Sequence, residues 1–275
     1  MPRTRRVRRQ RFPHWKIVYS ITGVLIITAS LLLVFQLLQG LEFNSISGNK
    51  AAIVDQLSVS MPNQTFVNEA VELLEKTGFT VDYYPANKVT IDFYRHLPLN
   101  GYKIIILRAH SAVGNRSGSS KFVIFSHEPY SKLKYQYEQL TDRVGEVKVD
   151  EGEKSYFGIF PDFVRYSMKG DFHDAVIITM GCGGGLYPDM AKAFIKKGVL
   201  VYFGWDERVD IDHTDRATIC LLRHLLPENE TIGEAITNTN REVGQDPTYN
   251  SSFICYGPPS ALDAHIINHP ESTSK

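Results

Sequence analysis

Val176-Ile-Ile-Thr-Met-Gly-Cys-Gly-Gly-Gly185 is the stretch whose reading decides the fold. Its first five residues combine strand propensity with a nearly unbroken apolar run, the pattern of a strand buried on both faces. Such strands belong to α/β sheets, whose carboxyl-end loops gather ligands and catalytic groups. Cys182 stands in a loop of that kind, and the glycines after it let backbone or substrate come close. A second run, Lys103-Ile-Ile-Ile-Leu107, leads in the same way to His110. Taken singly, each residue has a plain structural reading, a small packed thiol or a surface imidazole. Taken together, they predict two neighbouring strand ends, about 4.8 Å apart, that present a thiol and a base to one another.

The flanking segments alternate as such a sheet requires. Ala51–Val54 reads as a strand. Val67–Glu75 reads as a helix, with apolar residues at 67, 70, 71, 73 and 74, a start near Pro62 and Asn63, and a stop at Gly78. Phe79–Tyr84 is the next strand, and Val89–Leu97 a short helix. Beyond Cys182 come a helix over Pro188–Lys197, a strand over Val199–Phe203, and an acidic loop through Asp206, Asp210, Asp212 and Asp215. Helices are expected over Ala217–Leu226 and from Thr231, with Glu234 in the first turn, followed by a last strand at Phe253–Tyr256 and a surface tail from Ala261. This order predicts a mainly parallel sheet with helices on both faces, in one α/β domain over residues 51–260. Residues 114–168 break the pattern. Phe122–Phe125 and Val144–Val149 predict an antiparallel hairpin inserted over one end of the sheet.

The charges balance, 30 basic against 30 acidic, but unevenly along the chain. Arg3, Arg5, Arg6, Arg8, Arg9, Arg11 and Lys16 precede every acidic residue, which leaves the remainder with about seven excess negative charges. No charge occurs from Ile17 to Leu41, a run long enough to cross a bilayer as a helix. The expected layout is a basic cytoplasmic tail (1–16), a transmembrane helix (17–41), a linker (42–50) and a domain outside the cell membrane. A cleaved signal peptide is the alternative. Topology accounts for the basic cluster without nucleic acid. Sequons at Asn63, Asn115, Asn229 and Asn250 agree with an outside location. Three cysteines make no disulfide framework; Cys220 and Cys255 either pair or serve as small buried hydrophobes.

Several other chemistries fit poorly. Leu186 replaces the last glycine of a dinucleotide fingerprint, and no P-loop lysine follows. A Gly-x-Cys-x-Gly elbow would put Gly183 where the nucleophile belongs. His173, Asp174, Asp210, Asp212 and His213 match no zinc template, so no metal and no cofactor is expected.

The order strand–His and strand–Cys resembles the caspase-like cysteine peptidases, the group of caspases, gingipains, separase and CHAT domains. Ile104-Ile-Ile-Leu-Arg-Ala-His110 and Val176-Ile-Ile-Thr-Met-Gly-Cys182 carry the likeness. Lys197–Trp205, Thr231–Ala235 and Tyr256-Gly-Pro-Pro259 extend it over about residues 50–260. The resemblance implies a caspase-like three-layer sandwich and a peptidase acting on protein or peptide through Cys182 and His110. It also implies an oxyanion site from the backbone N–H groups of Cys182 and Ser111. Ser111 departs from the family, which has glycine after the histidine. In some relatives an acidic residue after the fifth strand binds a basic substrate side chain, a place that Asp206 or Asp212 would fill; a solvated acidic loop is the plainer reading. A catalytically inactive surface module that binds protein or peptide is the alternative to a peptidase.

Overall fold

The computed structural model describes residues 49–116, 119–149 and 154–267. The basic segment 1–16, the expected membrane span 17–41, most of the linker 42–50 and the end of the tail lie outside the described residues. No described helix is long and apolar enough to cross a membrane.

The central sheet has six strands: β1 (Lys50–Asp55), β2 (Thr80–Pro85), β3 (Ile104–Arg108), β8 (Ala175–Thr179), β9 (Val199–Trp205) and β10 (Phe253–Tyr256). Their spatial order is β10-β9-β8-β3-β1-β2, parallel throughout except for β10. The two strands singled out in the sequence are direct neighbours, with Leu107 beside Thr179. Every residue of β3 and β8 is buried, which explains their unbroken apolar character.

Alternate strand residues serve two cores. Ala51, Ile53, Ile104, Ile106, Val176 and Ile178 face α1 (Gln64–Lys76), α6 (Ile211–Leu225) and α7 (Ile232–Val243). Ala52, Val54, Ile105, Leu107 and Ile177 face α2 (Ile91–His96), α4 (Pro161–Tyr166) and α5 (Pro188–Lys196). The protein is therefore a mixed α/β fold with helices on both sides of a mainly parallel sheet. The chain steps from β1 outward to β2 and then back past β1 to β3. That reversal opens a crevice at the carboxyl ends of β1 and β3.

The inserted hairpin is larger than expected. It forms a second, antiparallel sheet in the order β4-β5-β7-β6, built from β4 (Ser111–Arg116), β5 (Ser119–Pro129), β6 (Val144–Val147) and β7 (Tyr156–Ile159), with the short α3 (Gln136–Leu140) between β5 and β6. Phe122, Ile124, Phe157 and Ile159 join the core that β3 and α2 share, so the second sheet is built onto the first.

Two further expectations are corrected. The acidic loop after β9 ends at Asp210, whose carboxylate caps α6 by accepting from the Asp212 N–H; Asp212 and Asp215 already lie on the helix. The expected surface tail is docked at its start: Pro259–Leu262 forms α8, Ala261 and Ile266 are buried, and Ile232 N–H donates to Ala264 C=O.

The carboxyl ends of the strands are tied by one buried ion cluster. Arg108, at the end of β3, is 1% exposed. It donates through Nε and Nη2 to both oxygens of Asp215 at 2.9 and 3.0 Å, and through Nη1 to Asp55 at 3.0 Å. Asn63, the N-cap of α1, donates to Asp215 as well, and Tyr83 donates to Asp55. The Arg108 guanidinium also lies 5.6 Å over the Phe66 ring. Burial pushes the Asp55 carboxyl above its ordinary value even with Arg108 beside it. We expect Arg108→Met, which strands two buried carboxylates, to cost about 3–5 kcal/mol in urea unfolding at neutral pH. Arg108→Lys should recover only part of that loss, because an ammonium cannot reproduce the two-pronged contact with Asp215.

Candidate active site

β3 leads through Ala109 and His110 straight into β4, so His110 stands at the junction of the two sheets. Its backbone is fixed from both sides. The His110 N–H donates to Gln56 Oε1 at 2.9 Å, and its C=O accepts from Phe125 N–H at 2.9 Å. The ring lies 6.0 Å from the Phe125 ring. Gln56 in turn donates its N–H to the Arg108 C=O, so the loop after β1 carries the histidine loop.

β8 ends at Thr179, and Met180–Leu186 makes a tight glycine-rich loop. Gly183 N–H donates to Glu207 C=O, and Gly185 N–H to Trp205 C=O, which pins this loop to the end of β9. Ser111 Oγ donates to the Cys182 C=O at 2.8 Å, which pins it to the start of β4. Gly181 is required by that clamp: a Cβ there would sit 2.2 Å from Ser111 Oγ and 2.6 Å from Ala109 O. Cys182 is half-buried, and its Sγ reaches Val209 C=O at 3.6 Å. Its N–H has no acceptor among the described residues.

The Ser111 N–H is also turned away from the ladder. The hydrogen bond from Phe125 to His110 makes these two residues a bonded pair. The next pair, Ser111 with Ile124, is then non-bonded, so the Ser111 N–H points away from β5. Serine keeps the donor that glycine would offer and adds a tie to the thiol loop.

His110, Ser111 and Cys182 line one cleft of about 230 Å³ at the carboxyl ends of the strands. Leu57 and Met61 from the loop after β1, Val209 and Asp210 before α6, and Tyr249 complete its walls. The structure thus brings together the expected thiol, imidazole and two backbone donors. It does not bring Asp206 or Asp212 with them. Asp206 accepts from the Ser252 N–H and donates its own to Ser252 C=O, holding the start of β10, while Asp212 stands exposed in the first turn of α6. The acidic residue on the cleft is Asp210.

One residue of the site gave no signal in the sequence. Asp246 is fully buried beneath the cleft wall and accepts from the N–H groups of Asp210, Thr248 and Tyr249, each at 2.8 Å. Two of those donors belong to cleft residues. Asp246 stands in Gln245-Asp-Pro-Thr248, a string that reads only as a turn.

The remaining thiols are unpaired and packed: Cys220 is buried and Cys255 lies against the core, and burial raises both thiols above their ordinary value. His224 lies close to Cys220, Glu228, Glu230 and Glu242. Arg223 donates to Glu242 and to Cys220 Sγ in the same cluster, which lies about 20 Å along α6 from the cleft.

No protein-family model matches the chain, and no curated protein does. Among solved structures it is similar to the crystal structure of the Arg-specific cysteine proteinase gingipain R. The TM-score is 0.45 and the identity 15%, over 78% of this chain and 47% of that one. It is also similar to a structural-genomics protein from Geobacter sulfurreducens, with TM-score 0.43 and 10% identity over 79% of this chain and 97% of that one. The chain spans about half the length of gingipain R.

Burial would raise the Asp246 carboxyl, but the three N–H donors outweigh it and hold it below its ordinary value. The lowered value means that Asp246 stabilises the fold above the unfolded pKa of about 3.9, and that this contribution fades as pH falls through the folded value. We expect Asp246→Asn to lower the melting temperature at pH 7 and to narrow the gap to wild type as the pH is taken below about 4. A gap that stays constant through that range would show the carboxylate charge to be idle.

Proposed function

We propose that this protein is a cysteine peptidase whose working groups are Cys182 and His110. The observation that carries the reading is their meeting, with Ser111, on one cleft at the carboxyl ends of neighbouring parallel strands. A thiol is weakly ionised at neutral pH, and imidazole is the side chain that titrates there, so the pairing supplies both nucleophile and proton carrier.

The Cys182 thiolate attacks the scissile carbonyl carbon, and the carbonyl π electrons move onto oxygen. The N–H groups of Cys182 and Ser111 receive that oxyanion. The tetrahedral adduct collapses, the C–N bond breaks, and protonated His110 gives its proton to the departing amine. The thioester that remains is hydrolysed by water, which neutral His110 deprotonates as it attacks. The thiol leaves, and the carboxylic acid product is released.

The domain is read as held outside the membrane by residues 17–41, supported by the seven basic residues before that apolar run. Its partners are then a protein or peptide substrate and the lipid bilayer, with no nucleic acid. The alternative, a surface module that binds peptide without cleaving it, shares the same cleft.

Labelling with iodoacetamide separates the two readings, with the modified residue located by peptide mapping. We expect Cys182 to be the fast site in the full chain, the signal to vanish in Cys182→Ala, and His110→Ala to slow it by at least about 100-fold. Equal rates in wild type and His110→Ala would reject the dyad and favour the binding module.

A further inference from the structure

β4 leaves the cleft with one edge unpaired. It pairs with β5 on one side, and no described strand pairs with the other. Because His110 and Phe125 are the bonded pair, the bonded positions along β4 are Ala112 and Gly114. The N–H and C=O groups of Ser111 and Val113 therefore point outward. They lie two residues apart, about 6.6–6.8 Å, the repeat at which an extended peptide offers its own groups.

Exposed edges are normally blunted by a charge or a proline. Of the four edge strands, β2 and β6 carry Asp82 and Glu146, β10 has neither charge nor proline, and β4, the one that adjoins the cleft through Ser111, has neither before Arg116. Val113 is 44% exposed. On the face that carries Ala112 and Gly114, a groove of about 290 Å³ runs alongside, lined by Val123, Phe125, Val147 and Phe160 and also by Glu146 and Lys148. The edge begins at Ser111, which itself lines the cleft.

We propose that the outer edge of β4 is the docking strand for an extended peptide whose scissile bond lies at Cys182. The peptide adds to the second sheet through main-chain hydrogen bonds with Ser111 and Val113, and one of its apolar side chains enters the groove beside Ala112. Recognition by this surface is thus mainly of backbone, with an apolar preference at one position. The inference rests on the peptidase reading above and assigns that site its mode of substrate binding.

The test uses the full chain and capped peptidyl acyloxymethyl ketones of one to four residues that share the same residue at the reactive end. The rate of Cys182 labelling should rise with length by about tenfold, the worth of two added hydrogen bonds. N-methylation of the peptide nitrogens that face β4 should remove the gain. Val113→Pro deletes an outward N–H without touching a bond to β5, and proline is tolerated at such edge positions. In that variant the gain should disappear while the iodoacetamide rate stays at the wild-type value. A length-dependent gain that survives N-methylation, or the absence of any gain in wild type, overturns the docking strand. If Val113→Pro does not fold, the N-methylated series on wild type decides alone. Iodoacetamide labelling that ignores His110→Ala strikes the dyad instead, so the two failures are distinct.

Discussion

The organisation of the site depends on a cation held at the end of a buried strand. Arg108 closes β3 in a position from which water is excluded, and a guanidinium there is tolerable only with carboxylates in contact. Asp55 comes from the next strand, and Asp215 from a helix 107 residues further along. The charge requirement therefore brings together the ends of β1 and β3 and the first turns of α6. The same turns reach the ends of β8 and β9, since Thr214 accepts from Trp205 Nε1 and donates to Met180 C=O. The loops that carry Gln56, His110, Cys182 and Val209 all start from strand ends fixed in this way. A buried ion cluster is a poor source of net stability, but it is selective about geometry. Here it specifies which loops converge.

Within that frame, Ser111 and Gly181 act as a pair. A serine after the histidine would crowd a thiol loop that carried any side chain at 181, because its hydroxyl occupies the place of a Cβ there. With glycine at 181, the hydroxyl instead holds the Cys182 carbonyl. The oxyanion donor expected from glycine is kept, since every residue but proline has an N–H. Ser111 and Gly181 are far apart in sequence but in direct contact in space, and their contact exchanges backbone freedom for a fixed loop.

How much of this was legible depended on whether a signal was local. The strands β3, β8 and β9 announce themselves by apolar runs, and their order follows from chain connectivity, so the sheet and the neighbouring placement of His110 and Cys182 could be read. The second sheet could be read only in part. Ser111–Arg116 has no strand pattern of its own; it is extended because β5 pairs with it, and Gly114 is small because the Phe160 ring lies against it. Gly158 in β7 likewise answers to Val123 and Val147, residues far from it in sequence. The start of α6 looked like an acidic loop because its aspartates are polar, yet Asp210 caps the helix and Asp215 is neutralised by Arg108. Asp206 and Asp212 were offered by resemblance as the acid after the fifth strand, but Asp206 holds the Ser252 N–H and Asp212 stands exposed in the first turn of α6. Partners of that kind leave no periodicity behind.

The convergence also accounts for where hydrogen bonds are missing. Buried and half-buried backbone groups are nearly always paired, and the thiol loop follows that rule at Gly183, at Gly185 and at the Cys182 carbonyl. Among the described residues the Cys182 N–H has no acceptor, nor do those of Gly181 and Gly184 in the same loop, and the Ser111 N–H points out of its ladder. In the proposed reaction, donors left open beside a thiol and an imidazole would favour negative charge over neutral oxygen, and a carbonyl under attack is the group whose charge changes in that sense.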